Sequence, residues 1–508
     1  MNEQGLRNTV CLHAKDNIVV AATALGPADH TAECLATEAI PSGHKMATKW
    51  IATGEAVLKY GQVIGFASAD INAGSHVHSH NLKFEPLDLD YRIGLDTKPV
   101  DFLADSEQRT FLGYHRPSGK VGTRNFIAVL TSVNCSATAA HMIAESFSDD
   151  ELATYENVDG VAAFSHGTGC GMVTSSDGFA NLQRVLWGYA RNPNVGGVLF
   201  VGLGCEVNQI SFLLEAYGLN AGPRVRSMDI QDMGGLKQTV DAGVKEVREM
   251  LAVVNEDHRA PAPASEITLA LQCGGSDGWS GVTANPALGS CVDTLVQNGG
   301  TAVLAETPEV YGAQHLLTCR SSEQKTAQAL LERIEWWEHY TSINGGSMDN
   351  NPSPGNKKGG ITTILEKSLG AVAKGGTTDL NGVYKYGEPV TKKGLVFMDS
   401  PGYDPASITG QIASGCNMVV FTTGRGSAFG SKPAPTIKVS SNDRLLERMP
   451  GDIDVNAGTI VSNGETVSEI GNTLFDYILD VASGAPSKSE ALGLGNHEFV
   501  PWQIGAVM

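Results

Sequence analysis

The sequence predicts an α/β protein in which a small N-terminal β unit and a linker precede a larger body built on a parallel sheet. Two observations predict this. From Lys120 onward, short β-branched runs alternate with helical ones such as ATAAHMIAESF, GFANLQRVLWGYA and TAQALLERIEWWEHY, the alternation of βα units. The short runs (IAVLTSV, VAAF, VLFVGL, ITLAL, TAVLA, LVFM and VVFTT) are apolar throughout and stopped by Gly, Pro or a polar residue. Parallel strands buried on both faces have that composition.

Taken in order, residues 1–82 hold strand-like pieces (NTVCLHA, NIVVAATAL, AVLKYG and QVIGFAS) separated by Gly and Pro turns, with no helical period. A small β domain is expected there. Residues 83–117 mix charge, Pro and short polar runs without a sustained period, which reads as a linker. The body then divides at DHRAPAPASE into 118–260 and 261–508. At 508 residues the chain exceeds one hydrophobic core, so several domains are expected. No internal repeat is present.

Composition narrows the function. A formal charge of −19 argues against nucleic acid or an anionic membrane as partner, since phosphate binding needs basic patches. No apolar run has the length of a membrane span, and the N-terminus lacks the order of a signal peptide. Nine cysteines without paired spacing read as reduced thiols of a cytoplasmic protein. No G-x-G-x-x-G or G-x-x-x-x-G-K-[ST] is present, so dinucleotide and nucleoside triphosphate sites lack their usual signatures.

The chemistry-bearing residues follow the strand-like runs, where an open α/β sheet binds its ligands. Cys135, His166, Cys205, Cys273, Ser276, Asp277, Glu306 and Arg425 all stand at or just after such ends, and Cys170 follows four residues after His166. The thiolates suit iron or an iron–sulfur cluster; a buried cysteine is also simply a small hydrophobe. His76, His78 and His80 alternate in GSHVHSHN and would share one face of a strand, where two could hold a metal; an exposed histidine-rich hairpin has the same sequence. His44 and Lys45, in SGHK, are a candidate acid/base pair for a site between domains. Lys357 or Lys358, before a helical run, and Arg425, between glycines, are suited to a carboxylate.

Some of these residues, among them His44, Lys45, Cys205, Cys273, Ser276, Asp277, Lys357 and Arg425, lie in blocks that carry a resemblance: HAKDN, SGHK, KYGQVIG, SGKVGTRN, GLGCE, CGGSDGWSGVTANPALG, NPSPGNKKGG, TTGRG and DIDVNAG. Together they resemble the altronate and galactarate dehydratases, iron-dependent sugar-acid hydro-lyases, from about His13 to Gly458. The resemblance implies an SAF-type β-clip domain over 1–82, a middle domain involved in dimerisation, and a C-terminal Rossmann-like sheet with a metal site. It implies loss of water across C2 and C3 of a polyhydroxy acid to a 2-keto-3-deoxy acid. The HVHSHN segment is closer to the altronate type, with galactarate dehydratase and sulfolactate sulfo-lyase as alternatives, and a sugar-acid binding protein as the non-enzyme alternative.

The site set expected on this basis is His44, Lys45 and His166 for proton transfer, and Ser276, Asp277, Asn356, Lys357 and Arg425 for the substrate. Cys135, Cys170, Cys205, Cys273 and Glu306 are the expected metal ligands, with His76 and His78 as the alternative. The expected metal is Fe2+, with Mn2+ or a labile iron–sulfur cluster as alternatives. An anionic sugar acid is the expected small-molecule partner, and a homodimer the expected assembly.

Overall fold

A computed structural model describes residues 8–321 and 323–505; of the expected N-terminal unit, residues 1–7 lie outside the described residues. The unit consists of two antiparallel sheets. One has the order β1 (Thr9–Val10), β2 (Ile18–Ala21), β3 (Lys45–Ala47), β6 (His76–Val77); the other has β4 (Ala56–Lys59), β5 (Gln62–Ala67), β7 (Leu82–Lys83). The β4–β5 hairpin closes through Tyr60 and Gly61, both left-handed at φ 60° and 71°, the two-residue turn whose twist matches paired strands. A side chain at position 61 would also meet the His13 ring at 2.8 Å. The SAF-type β unit expected from the sequence is therefore present.

Residues 84–109 contain no strand or helix and run along the C-terminal domain, with Asp96 N–H donating to Cys319 O (2.9 Å) and Leu103 N–H to Gln297 O (2.9 Å). The chain re-enters regular structure at β8 (Thr110–His115), which pairs with β9 (Val121–Gly122) and β14 (Arg259–Pro263).

The middle domain is a four-stranded parallel sheet in the order β11 (Gly160–Phe164), β10 (Phe126–Thr131), β12 (Val195–Gly202), β13 (Val225–Asp229). The C-terminal domain is a seven-stranded parallel sheet. Its order is β17 (Leu380–Tyr384), β18 (Gly394–Met398), β16 (Thr301–Leu304), β15 (Thr268–Cys273), β19 (Met418–Thr423), β20 (Thr436–Ser440), β21 (Val455–Asn456). Side chains alternate across each strand, and here the alternation joins the domains. Leu269 and Leu271 of β15 share a core with Ile18, Val57, Ile64 and Val77 of the N-terminal unit. Ala270, on the other face, shares one with Phe126, Ala128 and Leu130 of β10. Ile127 and Val129 point away into a third core under the helices Ala137–Ala144 and Leu236–Val254. Among the described residues no helix is long and apolar enough to cross a membrane.

Two junctions hold the domains in register. Between the parallel sheets, helix Asp177–Ala190 crosses helix Asp404–Ala413 at Gly188, where any Cβ would lie 2.2 Å from Ala413 O. Asn192 and Asn194 seal that seam by donating to the carbonyls of Ile412, Cys416, Asn417 and Pro433. Between the β unit and the C-terminal domain, Glu366 accepts from Lys45 Nζ (2.8 Å) and Lys59 Nζ (2.9 Å), all three side chains being buried.

Removing one member of a buried ion cluster leaves the others unpaired, which costs about 3–5 kcal/mol. Glu366→Ala is therefore expected to lower stability by that order in chemical denaturation and to free residues 8–83 for limited proteolysis. Gly188→Val is expected to cost about 1–3 kcal/mol by overpacking the helix crossing, read as a shift of the denaturation midpoint at unchanged slope.

Candidate active site

The C-terminal sheet reverses its strand order at β15, with β16 on one side and β19 on the other. A crevice opens at the carboxyl ends of strands at such a switch point. Here the loops after β15 and β19 meet, Arg425 N–H donating to Gly275 O at 2.9 Å, and the β unit closes over them. The result is a cleft of about 560 Å³ lined by His44 on one side and Asp277, Trp279, Lys358 and Arg425 on the other, a volume suited to a small metabolite. Its wall is completed by Arg444 and Arg448, one turn apart on helix Asp443–Arg448.

Close backbone approach makes this junction possible. Gly43 turns left-handed at φ 82° against the Trp279 indole, 2.9 Å from where a Cβ would stand. Gly278 meets Gly43 O at 2.0 Å from its own Cβ position and donates to Gly359 O at 2.8 Å. The glycines of SGHK, GGSDG and KKGG thus let three loops cross at the cleft.

At the end of the cleft three imidazoles gather. β3 pairs with β6 in the register Lys45↔Val77 and Met46↔His76, so His44 and His78 come opposite and His76 lies diagonal to His44. The ring centroids are 5.1–5.3 Å apart, and His44 Nδ1 is 3.0 Å from His76 Nε2. Burial, then Lys45 and His78, push His44 down to about 4. Burial, then His44 and His78, push His76 down to about 3, and His78 is lowered chiefly by burial. All three are neutral near pH 7, the form that ligates a metal. His78 donates Nε2–H to Lys357 O (2.8 Å), with Nδ1 contacting Ser79 Oγ. A backbone carbonyl on the far nitrogen is what orients a ligating imidazole; the three rings do not bring one nitrogen each within 4.8 Å of one another, so two of them, not all three, suit one divalent transition metal. His80 approaches only His76, at 5.7 Å between centroids.

Beneath the cleft lies a second, fully buried group. Cys273 at the end of β15 and Glu306 and Glu309 after β16 bring their ligand atoms within 4.8 Å of one another. Lys374 Nζ donates to Cys273 Sγ (3.0 Å), and Lys367 Nζ to Glu309 Oε1 (2.7 Å). Both Glu306 oxygens lack a hydrogen-bond partner, and its backbone is left-handed at φ 70°. Burial and the neighbouring Glu309 hold Glu306 well above the usual carboxylate range; burial pushes Cys273 up to about 11 and Asp404 up to about 6. Burial opposes ionisation of Glu309 as well, but Lys367 and Lys374 outweigh it. The space beside Cys273 is about 10 Å³, room for a single water and not for a sugar acid.

The expected site residues therefore separate. His44, Asp277 and Arg425 line the cleft. Lys45, expected as an acid/base partner of His44, points away from it, buried on Glu366 and Gly360 O (2.6 Å). Lys357 contributes its carbonyl to His78, and Lys358 is the lysine of the cleft. Asp277 accepts from Ser280, Ser441, Asn442 and the Trp279 N–H, and so braces the loop. Asn356 spans Ser276 O and the Ser353 cap. Gly274-Gly275-Ser276-Asp277-Gly278 fits the G-x-S-x-G spacing of a nucleophile elbow, but Ser276 Oγ is buried without a partner, so no base activates it.

His166 and the cysteines 135, 170 and 205 belong to the middle sheet, away from the cleft. His166 is buried, with Nε2 on Thr131 O (3.0 Å) and Nδ1 on Thr168 Oγ1 (3.0 Å), which fixes it as a loop brace rather than a proton carrier for the cleft. One ligand set of Cys135, Cys170, Cys205, Cys273 and Glu306 is thus replaced by two groups on two sheets. Sequence reasoning missed Trp279, Arg444 and Arg448; the i, i+4 arginines of DRLLER directly after a strand-like run were the available signal.

Residues 7–85 match the altronate/galactarate dehydratase SAF domain, 113–255 the D-galactarate dehydratase/altronate hydrolase second domain, and 264–507 the D-galactarate/altronate dehydratase C-terminal domain. The chain is 37% identical over 484 residues to altronate dehydratase of Escherichia coli (94% of this chain, 96% of that one). It is 34% identical over 488 residues to altronate dehydratase of Bacillus subtilis (94% and 96%). With the L-threo-forming galactarate dehydratase of Escherichia coli it shares 38% over 467 residues (90% and 89%). With this likeness over nearly its full length, and the same three-part order in its fold, the chain belongs to the D-galactarate/altronate dehydratase family and is a hydro-lyase.

Proposed function

We propose that the chain dehydrates a sugar acid, altronate first, in the cleft between the β unit and the C-terminal sheet, with ferrous iron held by His76 and His78. The observation that carries this reading is a cationic cleft lined by His44, whose ring lies against those of His76 and His78, all three neutral near pH 7. Two relatives are altronate dehydratases, but identity to the galactarate enzyme is as high, so galactarate is the first competitor.

The C2 proton of a polyhydroxy acid is very weakly acidic because it adjoins an ionised carboxylate. His76 and His78 would hold the iron, which would supply Lewis-acid charge that favours loss of that proton, as Mn2+ would. Arg425 and Lys358 bind the substrate carboxylate, Arg425 with a planar fork that fits it in two places. His44, facing the cleft and neutral, accepts the C2 proton. A carboxylate bound within a few ångströms of His44 raises its basicity. Trp279 and the Pro41–Ser42 loop line the same space.

Cys273, Glu306 and Glu309 support a second reading of the metal position, because the Glu306 oxygens are unpartnered and their neighbours converge. Iron content separates the two: His76→Ala is expected to lose ferrous iron in equilibrium dialysis while Glu306→Gln retains it, and the reverse moves the metal to the buried group.

In anaerobic assays with ferrous iron and reductant, altronate is expected to yield a 2-keto-3-deoxy acid. Arg425→Ala is expected to raise KM roughly 10- to 100-fold, as for loss of a hydrogen bond to a charged group. Iron-loaded protein that turns over neither altronate nor galactarate overturns the assignment.

A further inference from the structure

The three cysteines of the middle sheet have no part in the cleft, and their arrangement is specific. β11, β10 and β12 are adjacent and parallel, and the loop after each carries one exposed cysteine: Cys170, Cys135 and Cys205. The loops are tied to one another. Asn134 donates its N–H to Thr168 O (2.9 Å) and its side-chain amide to His166 O (3.1 Å), joining the Cys135 loop to the Cys170 loop. Asn208 donates its N–H to Gly169 O (3.0 Å) and its amide to Ser132 O (2.9 Å), joining the Cys205 loop to both others.

The loop backbones are shaped to present the thiols. Cys170 stands between Gly169 and Gly171, left-handed at φ 104° and 67°, and Cys205 follows Gly204 at φ 115°. Glu206, beside Cys205, is buried and spends its carboxylate on Ser132 Oγ and the N–H groups of Leu203 and Gly204. It braces the loop and leaves the thiol as the outward group. Gln231 Nε2 lies 3.4 Å from Cys205 Sγ, an amide donor aimed at the sulfur. Asn208 Oδ1, at the junction of the loops, is buried and has no partner.

We infer that Cys135, Cys170 and Cys205 hold an iron–sulfur cluster at the carboxyl edge of the middle sheet, separate from the metal of the cleft. Thiolates are the ligands of such clusters, and donors to their sulfurs tune them. A single ion is the poorer occupant: among the described residues only Cys273, Glu306 and Glu309 converge within 4.8 Å, so the three sulfurs stand too widely for one metal, while a polynuclear centre spreads its ligands further. Three thiolates would leave one iron of a cubane without a protein ligand.

The test uses the full chain reconstituted anaerobically with ferrous iron and sulfide. Expected are acid-labile sulfide with broad visible absorption, and protection of Cys135, Cys170 and Cys205 from alkylation in loaded protein, read by peptide mass spectrometry. Cys135→Ser, Cys170→Ser and Cys205→Ser are each expected to reduce labile sulfide to background with unchanged circular dichroism, while Cys273→Ser keeps it. His76→Ala is expected to keep the sulfide as well, which separates this site from the proposed iron of the cleft. Wild-type protein that takes up no labile sulfide, equal sulfide in Cys170→Ser, or a disulfide among the three cysteines overturns the inference.

Discussion

Glu366 is the group on which the site depends. It lies in a helix of the C-terminal domain and accepts four hydrogen bonds, from Lys45, Lys59, Thr362 N–H and Thr362 Oγ1. Burial opposes its charge, but the two ammonium groups hold it well below the usual carboxylate range. A buried charge is tolerable only when its remaining lone pairs are filled, and here they are. Lys45 precedes Met46 in the strand that pairs with His76, and Lys59 closes the neighbouring hairpin. One carboxylate therefore fixes two strands of the β unit against the parallel sheet, and with them the positions of His44, His76 and His78. The acid/base role expected for Lys45 gives way to this one because its ammonium is spent on docking.

The same geometry addresses how a chain of net charge −19 can bind an anion. Local field matters more than net charge in a walled cleft. Lys358, Arg425, Arg444 and Arg448 face one space, while Asp277 is turned onto its own loop and Ser441. Asp277 is thus consumed in bracing, and Asp443, the other acid of the lining, accepts from Asn456.

Much of the fold was legible in the sequence because buried parallel strands leave a distinctive composition, and every run named at the outset overlaps a strand. The site was legible only in part. Each strand end could be recognised singly, as with Arg425 after β19 or Cys205 after β12, but nothing in a run of apolar residues says which sheet it joins. The cysteines therefore read as one group when β10, β11 and β12 place three on one sheet and β15 places Cys273 on another. Ion pairing was likewise hidden: Lys45 and Glu366 are 321 residues apart, and no local period records such a contact. Arg444 and Arg448 were missed for the opposite reason, since a short charged helix reads as solvated surface until a cleft is found beside it.

The buried acids below the cleft complete the electrostatic picture. Glu306, Glu309 and Asp404 lie near Lys367 and Lys374. Were all three ionised, the group would carry net negative charge under a cleft lined by Lys358, Arg425, Arg444 and Arg448. Its neighbours resolve this unequally: Lys367 and Asn351 hydrogen-bond Glu309, whereas Glu306, without a hydrogen-bond partner and in a left-handed backbone, favours its neutral form. Such a backbone costs about 1–3 kcal/mol, and it persists because Ser400 Oγ holds the Glu306 N–H and Thr307 N–H is tied to Ser400 O. The acid can thus sit beneath the site without opposing the cations above it, and it keeps two lone-pair-bearing oxygens free for whatever proton or cation that buried space receives.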